Sequence, residues 1–333
     1  MDIDAITHWS PGDYLGDQAE TRPRFALIIL NQPIRDAEGF TKLWKNASLR
    51  VCADGGANHL WAFRIDGDLP VPDCITGDLD SIKTYVGTGY RALGVTIVPD
   101  HSQYATDFTK CLNWINKQEE RQRLLQQAGG AGRSAEHFAS PDDAIPTAAA
   151  QAAGHHLGPY DAMDVVAYGA TGGRVDQGFH SIDQLFQASR SRGLDAASDP
   201  DDDTRAATSQ HLQTESPALP SSSASSSQQQ QQQQQPPSPR RKLTLMTADS
   251  VTFLLEKGKN VIETPTRLFG KTCGLIPVAG PSVITTQGLE WDLTDAETRF
   301  GGMVSTSNHL VREQVEVVTT APLLFTMEVR HAR

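Results

Sequence analysis

Long hydrophobic stretches, paired cysteines, a basic surplus and the common glycine-rich nucleotide signatures are all missing from this chain of 333 residues. The longest apolar run near the N-terminus, Phe25 to Leu30, falls far short of the ~20 residues that a membrane helix needs, so no membrane partner is expected. Residues 1–24 show no basic segment followed by an apolar one. A secretory leader is therefore not expected, and the cytoplasm is the expected compartment. The four cysteines, Cys52, Cys74, Cys111 and Cys273, are scattered without a CxxC or a paired-histidine spacing. That argues against a disulfide framework and against structural zinc. Lys and Arg number 29 against 40 Asp and Glu, a formal net charge of −11, and a nucleic-acid backbone binder needs the opposite balance. Neither a Walker A sequence nor a GxGxxG occurs, which disfavours P-loop kinases and dinucleotide dehydrogenases.

Apolar residues make up 38% of the chain, below the usual share for a compact domain, so part of it is expected to be non-globular. Two stretches fit. Residues 118–160 are rich in Ala, Gly and Gln. Residues 191–241 hold Asp199-Pro200-Asp201-Asp202-Asp203, the serine cluster Ser221–Ser227 and eight consecutive glutamines, Gln228–Gln235. Such tracts bury too little apolar surface to offset the entropy of ordering, and both read as disordered inserts in loops of a folded core.

Outside the inserts a regular rhythm appears. Phe25–Leu30, Leu49–Ala53, Asp73–Thr76, Val95–Val98 and Asp164–Tyr168 read as short strands without alternation, as expected when both faces are covered. Phe108, Cys111, Leu112 and Ile115 follow helical spacing behind a candidate N-cap, Thr106, and Val175, Phe179, Ile182, Leu185 and Phe186 keep a similar stripe. Strands alternating with helices predict a Rossmann-like parallel sheet. After Lys242 come only short β-like segments punctuated by Gly and Pro, which predict an antiparallel sandwich or barrel. The first of them, Leu243–Met246, can instead complete the parallel sheet.

The predicted parallel strands each deliver polar residues at or just beyond their carboxyl ends: Asn31 and Gln32, Asp54, Asp78 and Asp80, Asp107, then Arg174, Asp176 and Gln177. Open α/β sheets bind ligands along that rim. Four aspartates gathered there repel strongly unless a cation joins them. Oxygen ligands without Cys or paired His point to a hard ion, Mg²⁺ before Zn²⁺, and Mg²⁺ is commonly held by one or two carboxylates together with substrate phosphates. Taken singly, each motif has a plain structural reading: a turn at Asp54-Gly55-Gly56 or Asp78-x-Asp80, first-turn helix charge at Asp107, a local ion pair at Arg174 and Asp176.

Together, Leu30-Asn31-Gln32-Pro33, Asp54-Gly55-Gly56-Ala57-Asn58, Gly77-Asp78-Leu79-Asp80-Ser81, Thr106-Asp107-Phe108-Thr109-Lys110 and Gly172-Gly173-Arg174-Val175-Asp176-Gln177 resemble the ordered motifs of the thiamine pyrophosphokinase family. Cys273 to Val278, Thr285 to Trp291 and Val304 to Asn308 extend the resemblance into the C-terminal part. One departure is Pro99-Asp100-His101-Ser102-Gln103-Tyr104-Ala105, where many members have Pro-Asp-Gln before the Thr-Asp. The resemblance implies a Mg²⁺-dependent diphosphotransferase that moves diphosphate from ATP to the hydroxyl of thiamine, releasing thiamine diphosphate and AMP. It also implies a homodimer whose active sites draw on both subunits. Carried over residue by residue, Asp54, Asp78, Asp80 and Asp107 are the expected metal cluster, with Asp78, Asp80, Asp107 and Arg174 as the catalytic set. Asn31, Gln32, Asp54, Gln103, Asp176 and Gln177 are expected on the ATP side. Trp291, Ser305, Thr306, Ser307 and Asn308 are expected on the thiamine side. The expected organisation is a tail over 1–24, an α/β ATP-binding domain over 25–249, and a β-sandwich thiamine-binding domain over 250–333. Two other classes remain open: a glycosyltransferase holding a metal–nucleotide-sugar through Asp78-x-Asp80, and a non-catalytic thiamine sensor.

Overall fold

Runs of apolar sequence that end in polar loops become neighbouring strands of one large sheet. A computed structural model describes residues 6–17, 23–65, 69–129, 162–193 and 241–330. Its α/β part consists of β2 (Phe25–Ile29), α1 (Ala37–Asn46), β3 (Leu49–Ala53), α2 (Gly56–Ile65), β4 (Cys74–Gly77), α3 (Thr84–Ala92), β5 (Thr96–Pro99), α4 (Asp107–Gly129), β6 (Asp164–Tyr168), α5 (Val175–Gly193) and β7 (Leu243–Met246). The β-rich part adds β1 (Ile6–Trp9) to β8 (Ser250–Leu255), β9 (Gly258–Glu263), β10 (Phe269–Ile276), β11 (Ser282–Gln287), β12 (Ala296–Thr298), β13 (Ser305–His309), β14 (Gln314–Thr319) and β15 (Leu323–Val329).

The ten-stranded sheet has the order β13-β10-β15-β8-β7-β6-β2-β3-β4-β5. From β7 to β5 every pairing is parallel. The segment Leu243–Met246 thus completes the parallel half, and at β7–β8 the pairing turns antiparallel without a break in the sheet. A second, five-stranded sheet, β1-β9-β14-β11-β12, packs against the antiparallel half. The fold is an α/β layer continued into a β-sandwich.

Burial explains the absence of alternation in β2. Phe25, Leu27 and Ile29 face Phe40, Leu43, Trp44 and Leu60 of α1 and α2, while Ala26 and Ile28 face Phe108, Cys111 and Ile115 of α4. Each large side chain so buried contributes roughly 1.5–3 kcal/mol. In the sandwich, Phe253, Phe325 and Met327 meet Ile262, Ile284, Val315 and Val317 across the two sheets.

Three features differ from the sequence reading. Residues read as a tail carry β1, which pairs parallel with β9. Trp9 stacks on Phe253 at 4.7 Å and donates its indole N–H to Asn260 Oδ1 at 3.0 Å, so one aromatic fixes an otherwise polar segment. Helix α4 continues through the start of the first supposed insert, to Gly129. Tertiary ties account for that: Glu119 accepts the Met163 N–H at 2.9 Å and pairs with Arg241, whose guanidinium also donates to Asn116 Oδ1 at 2.6 Å. The remaining parts of both inserts, 130–160 and 194–240, lie outside the described residues. Finally, the apolar stripe of α5 is only partly used: Leu185 is buried, whereas Val175 and Phe179 in its first turns are 73% and 63% exposed. Those turns follow the Gly169–Gly173 loop.

Candidate active site

The carboxyl ends of β3 and β4 bring the acidic residues together. Asp54 follows the last residue of β3, and Asp78 and Asp80 follow β4. One carboxylate oxygen from each of Asp54, Asp78 and Asp80 lies within 4.8 Å of the others. Asp107 opens α4 beside them: a Cβ added to Gly77 would stand 2.7 Å from Asp54 Cβ and 3.0 Å from Asp107 Oδ1. Only glycine lets the two carboxylates flank the end of β4. An all-oxygen set of this kind, without sulfur or imidazole, suits a hard divalent cation.

Asp54 does more than offer charge. It is fully buried, and its two carboxylate oxygens accept the backbone N–H groups of Ser81 (2.9 Å) and Ile82 (2.8 Å). Asn58 adds a second clamp, donating to Ser81 O and accepting the Lys83 N–H, both at 2.9 Å. Leu79, held at a positive φ of 64°, packs its side chain against the core while the flanking aspartates stay at the rim. Four hydrogen bonds from α2 and its approach therefore set the Asp78–Asp80 loop.

The electrostatics are those of a site short of positive charge. Burial, with added repulsion from Asp107 and Asp78, pushes Asp54 up to about 6 against the pull of its backbone donors. Burial also raises Asp107 despite its hydrogen bond from Lys110. For Asp78 burial works in the same sense, but the Asp80 N–H and Lys110 outweigh it and its pKa is lowered. A raised carboxyl pKa stabilises the fold fully below the ordinary value near 3.8 and loses that contribution as pH climbs through about 6. At about 1.36 kcal/mol per unit, the Asp54 contribution is at most about 3 kcal/mol. In metal-free buffer, the stability of the wild type relative to Asp54→Asn should fall between about pH 4 and 6.5; denaturant midpoints across that range measure it. Millimolar Mg²⁺ should flatten the difference, and a parallel pair of profiles without metal would show that Asp54 carries no strained charge.

Lys110 is the residue that the sequence reading passed over. Its side chain is 2% exposed, with Nζ 3.2 Å from Asp107 Oδ1 and 3.6 Å from Asp78 Oδ2. Burial alone would lower its pKa, yet the two carboxylates reverse that and hold the ammonium charged. The available signal was its position three residues after Asp107, the same helical face. His180 was also missed. Its Nε2 lies 2.6 Å from Oγ1 of Thr106, the residue that caps α4 through the Thr109 N–H at 3.3 Å. This contact ties the Asp107 turn to α5.

Other expected residues line the same rim with different degrees of engagement. The Asn31 amide presses on Gly55, where a Cβ would meet it at 2.4 Å, and its Oδ1 contacts His59 Nε2 at 3.1 Å. Gln32 lies under the Gly169–Gly173 loop, since a Cβ on Gly173 would meet its Nε2 at 2.4 Å. That contact falls between β2 and β6, where the strand order reverses. Arg174 and Asp176 form an exposed two-bond pair with each other, 3.1 and 2.5 Å. Gln177 and Gln103 are exposed.

The remaining set is elsewhere. Asn308, 3% exposed, accepts the Trp291 N–H at 3.2 Å and donates to the Trp291 carbonyl at 2.9 Å, while the indole is 53% exposed beside His309. Thr306 and Ser307 edge a cleft of about 380 Å³ over Cys273, Gly274 and Met327, and Ser305 pairs with Leu275. A larger cleft of about 1010 Å³ between α1 and β10 contains none of the expected residues. On the sheet, β13 is eight strand spacings from β4. At 4.7–4.9 Å per spacing that is on the order of 38 Å along the sheet.

A parallel α/β layer continued into a β-sandwich, with clustered carboxylates at the carboxyl rim, places a hard-cation site on the edge where open α/β sheets take their ligands. Two family models match the chain: "Thiamin pyrophosphokinase, catalytic domain" over residues 40–195 and "Thiamin pyrophosphokinase, vitamin B1 binding domain" over residues 259–324. The first contains the aspartate cluster and the second Trp291 and Ser305–Asn308; Asn31 and Gln32 precede both. Thiamine pyrophosphokinase 1 of Arabidopsis thaliana is 28% identical over 98% of this chain and 95% of its own. The Saccharomyces cerevisiae thiamine pyrophosphokinase is 29% identical over 88% and 82%. Among solved structures, the yeast enzyme superposes with a TM-score of 0.66 at 25% identity, covering 99% of this chain and 94% of its own. The Candida albicans enzyme gives 0.65 at 26%, covering 98% and 93%. The chain belongs to the thiamin pyrophosphokinase family.

Proposed function

We propose that this protein is a thiamine pyrophosphokinase, transferring diphosphate from ATP to the hydroxyl of thiamine with Mg²⁺ and releasing AMP. The observation that carries the reading is the convergence of Asp54, Asp78 and Asp80 oxygens within 4.8 Å, with Asp107 and Lys110 against them. Bound there, Mg²⁺ would offset phosphate charge in an in-line displacement at the β-phosphorus. Asp54, Asp78, Asp80 and Asp107 would supply its oxygens, and Asp54 also holds the loop that carries two of them. Asn31, Gln32, Gln103, Arg174, Asp176 and Gln177 are proposed for the nucleotide, with Arg174 exchanging its exposed Asp176 partner for phosphate oxygens. Either Asp78 or Asp107 can accept the alcohol proton. Trp291 offers an exposed indole face to the cationic thiazolium.

We also propose a homodimer in which the Trp291 face of one subunit completes the aspartate rim of its partner. The eight-strand separation within one chain supports this, because a substrate the size of thiamine cannot bridge it. All four cysteines are free and buried, which suits a reducing compartment such as the cytoplasm. Among the described residues no helix is long and apolar enough to cross a membrane. The other use of Asp78-x-Asp80, a nucleotide-sugar transferase, is not favoured beside matches to both halves of one family. Incubation with ATP, Mg²⁺ and thiamine should give AMP and thiamine diphosphate in equal amounts by chromatography. ADP as the nucleotide product, or AMP formed equally without thiamine, would rule the assignment out.

A further inference from the structure

The carboxylates at the rim already have a cation, and it belongs to the protein. Among the described residues, Lys110 is the one ammonium or guanidinium in ion-pair contact with Asp54, Asp78, Asp80 or Asp107. It is 2% exposed, and α4 delivers it on the same face as Asp107. Screening by salt is weak at such a position, and its charge acts on whatever enters the cluster at short range.

We propose that Lys110 is a positioning counter-cation that keeps bare divalent metal off the rim and admits the metal together with its triphosphate. This rests on the site being an ATP-using one. A free divalent ion meets carboxylates that are already partly neutralised, and must approach or displace a buried ammonium of like sign. A metal–triphosphate complex is a net anion, and brings phosphate oxygens that give the displaced ammonium new acceptors. The same side chain therefore opposes one ligand and favours the other. Lysine suits the role because its three donors turn about a compact charge, so it can trade carboxylate for phosphate without leaving the site. By linkage, the factor by which Lys110 weakens free metal is the factor by which metal loosens Lys110.

Mn²⁺ provides a probe that needs no turnover, since the free ion is counted directly by electron paramagnetic resonance. Without nucleotide, Lys110→Met and Lys110→Gln should bind Mn²⁺ at least about tenfold more tightly than wild type. Lys110→Arg, which keeps the charge, should stay within about threefold. With a non-hydrolysable ATP analogue the order should reverse, both neutral variants binding the Mn²⁺ complex at least about tenfold more weakly. Circular dichroism on each variant checks folding, and Lys110→Gln retains a hydrogen-bond donor should Lys110→Met not fold. Unchanged or weaker Mn²⁺ binding in the folded neutral variants would overturn the proposal. Wild-type AMP release with thiamine separates the two ideas. If it occurs while the Mn²⁺ affinities do not move, the counter-cation role falls and the enzyme assignment stands; if it fails while they move, the reverse holds.

Discussion

Asp78→Asn should lose at least about a thousandfold of turnover while the protein melts at the same temperature or slightly lower. Asp78 sits on a glycine-led loop whose backbone is fixed by Asp54 and Asn58, so the substitution leaves the scaffold in place. It removes one negative charge, and the oxygen ligand proposed for the metal, from a group in which Asp54, Asp78 and Asp80 each place an oxygen within 4.8 Å of the others. Lys110 keeps Asp107 at 3.2 Å as a partner. The loss should fall on kcat, because charge shifts onto the departing AMP only as the bond breaks. A coupled AMP assay and a thermal melt measure the two quantities; turnover within about tenfold of wild type would remove Asp78 from the metal set.

The second large effect is a recovery. Trp291→Lys replaces an exposed indole with a charge that repels the thiazolium, and should lower kcat/KM for thiamine at least about a hundredfold. Co-expressed from differently tagged chains, Asp78→Asn and Trp291→Lys subunits should regain about a quarter of wild-type activity, since half the dimers are mixed and one site of each is intact. Activity no greater than the sum of the two parents would place both halves of the site in one chain. That result would contradict the separation of β13 from β4.

Much of the fold was legible because burial leaves a local mark. Phe25–Ile29 is apolar on both faces because helices cover both, and strands of that kind end abruptly at polar residues. Asp54, Asp78 and Asp80 are legible for the same reason, standing just past the ends of apolar strands, and Asp107 through the helix it opens. What escaped depends on contacts between distant segments. Strand β13 has no apolar alternation: it is an edge strand whose buried residue, Asn308, serves the Trp291 backbone 17 residues away. Strand β1 looked like a tail because Trp9 gains its meaning only from Phe253 and Asn260. Lys110 gives no such mark in the sequence, since a lysine on a helix ordinarily points to water. Its burial follows from two carboxylates, one of which arrives from β4.

The seam at β7–β8 has a mechanical consequence. Hydrogen bonds run without interruption from β5 to β13, so the molecule is a single beam with no joint between its two ends. The continuous order of strands among the described residues argues against a clamshell hinge within one chain as the way substrates are brought together. Movement during a reaction cycle falls to the short connections along the rim, and deuterium should enter those connections long before it reaches the ladder between Leu245 and Thr252.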